Sequence, residues 1–564
     1  MTDVTGCVVP LVAVALPTPL DRLFDYSWPE HWPAPRPGQR LRVSFGRRTL
    51  IGLAVADLRL QALSAEEAGR YKPVLEAFDA DAPLPAEWLD ALRWAADYYR
   101  HPLGNVIATA LPARLRTGAD AAVRSDWQFV LTSAGQQALA TLPARATALR
   151  ALLGAAANGP VAAHGGGAPL KKALQQGWLQ RTAVPTTTPP VPSLAGPALT
   201  DEQRAVWQPL EATQGFGVTL IEGVTGSGKT ELYLRKVEQV IRSGAQALVL
   251  VPEIGLSPQL VTRFVERFGA NVVESHSGMG EAARFNSWLA MRDGNARVMV
   301  GTRSAVFTPF ARLGLVVIDE EHDGSYKQQD GFRYHARDFA IRRAQMAGVP
   351  VLLGSATPSL ESLANAGAGR YHHLRLTRRV RGEAPPQPQL INLHHYPARE
   401  GLSEPLAAAV ERHVQAGGQA LLFINRRGFA PTLYCDQCHW QAPCPHCAGR
   451  LTVHRASGRL QCHHCGYGSA IPRECPSCGG RTLRALGEGT ERIEETLKNR
   501  LPGHRVERFD AERFSSGRAL AALLDDVRQR RVSVLVGTQM LAKGHDFPAV
   551  TLVGVLLAES GLRV

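Results

Sequence analysis

From Val218 onward, short apolar runs alternate with stretches that place apolar residues three or four apart. The runs read VTLIEG, ALVLVP, NVVES, ARVMVGT, LGLVVIDEE and VPVLLGSAT. Between them, Pro258 to Phe268 carries Leu260, Val261, Phe264, Val265 and Phe268 on one stripe and is closed by Gly269. Strands alternating with such helices predict a parallel α/β sheet, in which ligands gather at the C-terminal ends of the strands. The same texture resumes near Pro405, with a helix, ALLFINRRG, the strand Arg505–Phe509, a further helix, VSVLVGTQM and VTLVGVLLA. Two lobes are expected, over 198–378 and 379–564. Residues 1–112 read differently. Alternating runs at Gln39–Phe45 and Leu50–Val55, broken by Pro and Gly, predict a β-rich unit, followed by a helix with Trp88, Leu92, Trp94 and Ala95 near one face. Residues 113–181 are Ala-rich and helical in pattern, fitting a small winged-helix-like domain. The Pro- and Thr-rich stretch 182–197 cannot bury a core and reads as a linker.

Charge narrows the partner. The chain of 564 residues has 63 basic and 50 acidic side chains, a net +13, which favours a polyanion. No run reaches the roughly 18 apolar residues that span a bilayer. The apolar start, Cys7 to Leu16, holds Pro10 and has no preceding Lys or Arg, so it reads as a buried strand rather than a signal peptide.

The chemistry is concentrated in four places. Eight of the nine cysteines form four C-x2-C pairs: Cys435/Cys438, Cys444/Cys447, Cys462/Cys465 and Cys475/Cys478. Each pair puts two thiolates on one turn, and two turns complete a tetrahedral site, so two Zn²⁺ ions are expected in an insert spanning 433–482. An iron–sulfur cluster is the less favoured alternative. His439, His446, His463 and His464 are spare, since cysteines fill all eight positions. Thiolates reserved for metal imply a reducing compartment, the cytoplasm.

GVTGSGKT satisfies the phosphate-loop pattern between a strand and a helix. Gly223, Thr225, Gly226, Ser227 and Gly228 would wrap phosphate with backbone N–H groups. Lys229 would neutralise the β/γ oxygens of ATP, and Thr230 would ligate Mg²⁺. At the end of LVVIDEEH, Asp319 can reach the Mg²⁺ hydration shell and Glu320 can polarise the attacking water. Immediately after it, Tyr326, Phe332 and Tyr334 interleave with Lys327, Arg333 and Arg337. That mixture suits stacking on unpaired bases while cations hold phosphates. Its attachment to the acidic motif suggests that strand contact triggers hydrolysis; a surface loop packed by its own aromatics is the plainer alternative. GTRSA, GSATPS, NRRG and GTQMLAKGHDF each follow an apolar strand and suit close approach to phosphate.

Together with LVPEIGLSPQ, FINRRGFAP, CHHC and GEGTE, these segments resemble the primosomal protein N′ (PriA) family, superfamily 2 helicases of the DEAH type. The resemblance covers essentially the whole chain. It implies two RecA-like lobes that move 3′→5′ on single-stranded DNA, preceded by a domain for the 3′ end of a nascent strand. It also implies recognition of forks and D-loops, cooperation with other primosome proteins and single-stranded DNA-binding protein, and a monomeric state. Gln203 in LTDEQ matches the adenine-reading glutamine. Phe24, Asp25, Tyr26, Gly46 and Lys72 match the pocket for the 3′ end. The family pattern also implies that the first cysteine knuckle pairs with the fourth, and the second with the third. The family continues into a Q-x-x-G-R-x-x-R motif and a C-terminal domain that these 564 residues lack. A truncated sequence is the expectation; a fork-binding scaffold without catalysis is the alternative.

Overall fold

Aliphatic runs buried on both faces build a seven-stranded sheet in this computed structural model. Its order is 272–275, 298–301, 246–250, 313–319, 350–355, 217–223, 372–376, and every neighbouring pair is parallel. The described residues are 7–79, 84–119, 127–143, 146–157, 161–162, 167–183, 196–252, 258–380, 387–398, 400–424, 432–435, 437–447, 450–454, 458–462, 465–486, 489–509, 517–537, 547–556 and 558. NRRG and most of GTQMLAKGHDF lie outside them.

Successive side chains leave a strand on opposite faces, and the cores follow that period. Leu220, Leu248, Val316, Ile318 and Leu353 enter one cluster, while Ile221, Val249, Leu315, Val317 and Leu352 enter the other. The second face is covered by the helices Asp201–Ala212, Lys229–Arg242 and Pro258–Phe268. The first of these is capped at both ends. Thr200 and Gln203 form a reciprocal capping box at its start, and the buried Lys236 ammonium donates to the Leu210 and Thr213 carbonyls at its end.

The first face is where the N-terminal residues meet the parallel sheet. Residues 7–77 do form a six-stranded antiparallel sheet, with a hairpin turning at Gly46 (φ +59°). The helix Ala86–Tyr98 packs with Ala15, Leu53 and Val55 of that β unit and in the same core meets the parallel sheet. Trp88, Leu89 and Leu92 join Phe307 and Phe339, and the Trp88 indole donates to the Phe307 carbonyl at 2.5 Å. Its amphipathic face was legible, but the identity of the covering partner was not. Residues 7–112 and the parallel sheet thus pack into one compact unit, which runs to residue 384. Residues 127–183 add three helices and a three-stranded antiparallel sheet.

The second unit, from 385, holds a four-stranded parallel sheet in the order 506–509, 534–537, 419–424, 550–556. The cysteine-rich insert forms its own five-stranded antiparallel sheet around Leu433, Leu451, Val453 and Leu460. Among the described residues no helix is long and apolar enough to cross a membrane.

Candidate nucleotide, nucleic-acid and metal sites

The phosphate loop leaves the strand Gly217–Gly223 and enters the helix Lys229–Arg242 through Gly226 and Gly228, both at φ +82°. Left-handed backbone at these two positions turns N–H groups toward a common centre, as phosphate binding at a helix N-terminus requires. Lys229 Nζ donates to the Gly223 carbonyl at 2.5 Å. Burial lowers its pKa, and the Glu320 and Asp319 carboxylates oppose that shift. Ser227 Oγ is buried and has no hydrogen-bond partner among the described residues, so a polar ligand is the natural occupant of the cradle. Gln203 lies behind the loop. Its Nε2 donates to the Ser227 carbonyl at 2.9 Å and its Oε1 accepts from Thr200 N at 3.0 Å, which makes it a brace for the loop. Arg379 was not singled out by the sequence, yet its stem runs beside Gly226, and Val380 N donates to the Gly226 carbonyl at 3.0 Å.

Asp319 ends the neighbouring acidic strand, one strand removed from the loop. Burial, with Glu320 beside it, raises its carboxyl to about 6; Lys229 and the Tyr233 hydroxyl, 3.2 Å away, pull the other way. A cation at this position would relieve the charge that burial disfavours, so the residues fit Mg²⁺. The Tyr233 hydroxyl reaches Asp319 because residue 354 is glycine: a Cβ there would occupy its place. Glu320 sits at φ +46°, a strained backbone for a side-chain-bearing residue and one common at active sites. His322 Nδ1 lies 2.7 Å from Ser355 Oγ, joining the acidic motif to GSATPS.

Glu321 escaped the sequence reading. It is 1% exposed and accepts from Arg337 Nη1 at 2.8 Å, Ser359 N at 2.7 Å and Ser362 Oγ at 2.9 Å. Burial alone would raise its pKa; the Ser359 N–H and the Arg337 guanidinium outweigh burial and lower it. Removing one partner of such a pair leaves an uncompensated buried charge. Glu321→Ala is therefore expected to cost about 3–5 kcal/mol of stability, read as a lowered denaturant midpoint.

The segment after the acidic motif requires a correction. Tyr326, Phe332 and Tyr334 are 0%, 3% and 2% exposed, so they offer no open ring face to a base. The Tyr326 hydroxyl donates to the Asp319 carbonyl at 2.6 Å, and Phe332 and Tyr334 pack on each other and on Phe307. Arg337 is spent on Glu321. Arg333 is exposed, and Lys327 Nζ donates to the Arg333 carbonyl at 2.6 Å.

In the N-terminal sheet, Phe24–Ser27 is an edge strand. Phe24 meets Phe45, next to Gly46, with ring centres 5.1 Å apart, and the Arg22 guanidinium covers its ring at 4.9 Å. Asp25 pairs with Arg59 at 2.9 Å, and the exposed Lys72 lies beside this strand, its carbonyl accepting from Ser27 N. Tyr26 is turned inward, its hydroxyl spent on the Ser44 carbonyl.

The cysteines gather as two separate quartets, Cys435, Cys438, Cys475, Cys478 and Cys444, Cys447, Cys462, Cys465. Cross-knuckle sulfur pairs stand 3.5–3.7 Å apart. Tetrahedral Zn–S bonds of about 2.3 Å separate sulfurs by about 3.8 Å, so both quartets fit zinc. Three knuckles share one turn. In each, the N–H four residues after the first cysteine returns to that cysteine's carbonyl, and the fourth residue, His439, Gly466 or Gly479, has positive φ. His446 stacks on Tyr467 at 4.6 Å; His463 and His464 lie outside the described residues.

A phosphate loop and an acidic strand end on a parallel sheet, in one chain with two zinc quartets, define an ATP- and Mg²⁺-dependent helicase with a zinc-binding module. Residues 200–366 match the DEAD/DEAH box helicase family, 13–112 the 3′DNA-binding domain (3′BD) and 444–469 the PriA DNA helicase Cys-rich region. The replication restart protein PriA of Haemophilus influenzae is 42% identical over 98% of this chain and 77% of its own length. That of Treponema pallidum is 33% identical over 99% and 75%, and that of Bacillus subtilis 44% identical over 65% and 46%. The chain belongs to the PriA family, and its partner is DNA.

Proposed function

We propose that this chain is a 3′→5′ DNA helicase that recognises abandoned replication forks and begins replication restart. The observation that carries the reading is the union, in one packed unit, of the 3′DNA-binding sheet with the phosphate loop and Asp319. Lys229 and the loop amides hold the ATP phosphates, Thr230 and Asp319 hold Mg²⁺, and Glu320 orients the attacking water. Gln203 braces the loop from behind while facing the adenine side. Phe24, Asp25, Gly46 and Lys72 take the terminal nucleotide of a nascent strand, with Asp25 accepting from its 3′ hydroxyl. Lys327 and Arg333 contact the phosphates of the single strand. Other primosome proteins and single-stranded DNA-binding protein are its partners, in a cytoplasmic monomer.

Strand displacement tests this. A labelled partial duplex with a 3′ tail should be unwound and one with a 5′ tail should not; equal unwinding of both overturns the polarity. On a fork, a 3′-terminal phosphate on the nascent strand should weaken binding, and Asp25→Ala should remove that discrimination.

A further inference from the structure

Tyr99, which ends the helix Ala86–Tyr98, touches the segment that follows the acidic motif through several groups at once. Its hydroxyl accepts from His335 N at 3.1 Å and lies 3.5 Å from the His335 carbonyl. Its ring meets Phe332 edge-on at 5.7 Å and carries the Lys327 ammonium at 5.4 Å. His101, two residues on, adds a second ring contact to Phe332 at 5.3 Å. Tyr99 thus grips both sides of the neck of the segment, where Lys327 and His335 form an antiparallel bridge.

Rigid connections lead away from this point in both directions. Toward the nucleotide, Tyr326 donates to the Asp319 carbonyl, and His335 precedes the helix whose Arg337 holds Glu321. Toward the DNA-binding sheet, the helix Leu103–Ala110 begins four residues after Tyr99. Gly104 lies so close to the Leu16 carbonyl that a Cβ has no room. Packed elements of this kind transmit displacement rather than absorb it.

We propose that Tyr99 is a positioning residue for ATP hydrolysis: it couples the segment 326–335 to the N-terminal DNA-binding sheet, so that DNA on either is felt at Asp319. The proposal rests on the reading above that Lys327 and Arg333 contact the single strand. Burial pushes the Tyr99 phenol up to about 12, so the hydroxyl remains protonated throughout the working range.

Tyr99→Phe keeps the ring contacts and removes only the hydroxyl, leaving His335 N without that acceptor. One buried hydrogen bond is worth a factor of about three to ten. The ratio of ATP turnover with oligo(dT) to turnover without it should fall by that factor, with KM for ATP unchanged. Tyr98 is 60% exposed, so Tyr98→Phe serves as the control and should keep the wild-type ratio. If Tyr99→Phe retains the wild-type ratio, or loses turnover equally with and without DNA, the coupling role is wrong while the DNA contact stands. A wild-type enzyme indifferent to oligo(dT) removes the reading of the segment, and the role of Tyr99 with it.

Discussion

Lys229→Ala is expected to lower DNA-stimulated ATP turnover by at least about 10²–10³, the usual consequence of deleting a preorganised charge at developing phosphoryl charge. The structure adds a second expectation that separates lost chemistry from lost folding. Burial lowers the Lys229 pKa, with Glu320 and Asp319 opposing, so carrying this charge costs the folded state some stability. Removing it takes away that cost, and the nucleotide-free variant should melt no lower than the wild type. What should disappear is the rise in melting temperature on adding Mg²⁺·ATP, which in the wild type at a hundredfold excess over Kd reflects about 2.7 kcal/mol of added stability. A variant that still gains stability from nucleotide would show that the loop holds ATP without this lysine. One that melts lower without nucleotide would show that the lysine serves the fold.

What could be read from the sequence was whatever chemistry is local. Gly226, Gly228 and Lys229 fall within four residues, and their backbone demands appear as residue types. The zinc knuckles repeat one short turn, and the structure adds only that Gly466 and Gly479 are required by sign of φ, a position that His439 fills at some strain. Pairwise burial was not legible. Glu321 meets Ser359 across 38 residues and Arg337 across 16, so nothing adjacent in the chain marks it as the hub of the site. The aromatic segment misled for the same reason. Alternating rings and cations describe a nucleic-acid platform and a buried loop equally well, and only Phe307 and Tyr99, from distant parts of the chain, decide for burial. Gln203 shows a third limit: its motif marks the nucleotide site, while the hydrogen bond from its amide to the Ser227 carbonyl joins residues 24 apart in the chain.

Metal analysis should return two zinc ions per chain, and Cys475→Ser should return one. The two quartets share no residue, so losing Cys475 empties the site of Cys435, Cys438 and Cys478 and leaves that of Cys444, Cys447, Cys462 and Cys465 loaded. The insert has a small apolar cluster, and its strands are only three or four residues long. For so small a core, zinc binding free energy is folding free energy. A strong chelator should therefore melt the insert, while the parallel sheet of the same unit, built on the separate cluster of Leu406, Val410, Leu422, Val534 and Val536, keeps its circular dichroism. Loss of both metals in Cys475→Ser would mean that the quartets fold as one cooperative body, with the antiparallel strands 432–435 and 451–454 carrying the coupling. Recovery of iron instead of zinc would overturn the assignment; sulfur spacings near 3.6 Å around a single centre already leave no space for a cluster's inorganic sulfides.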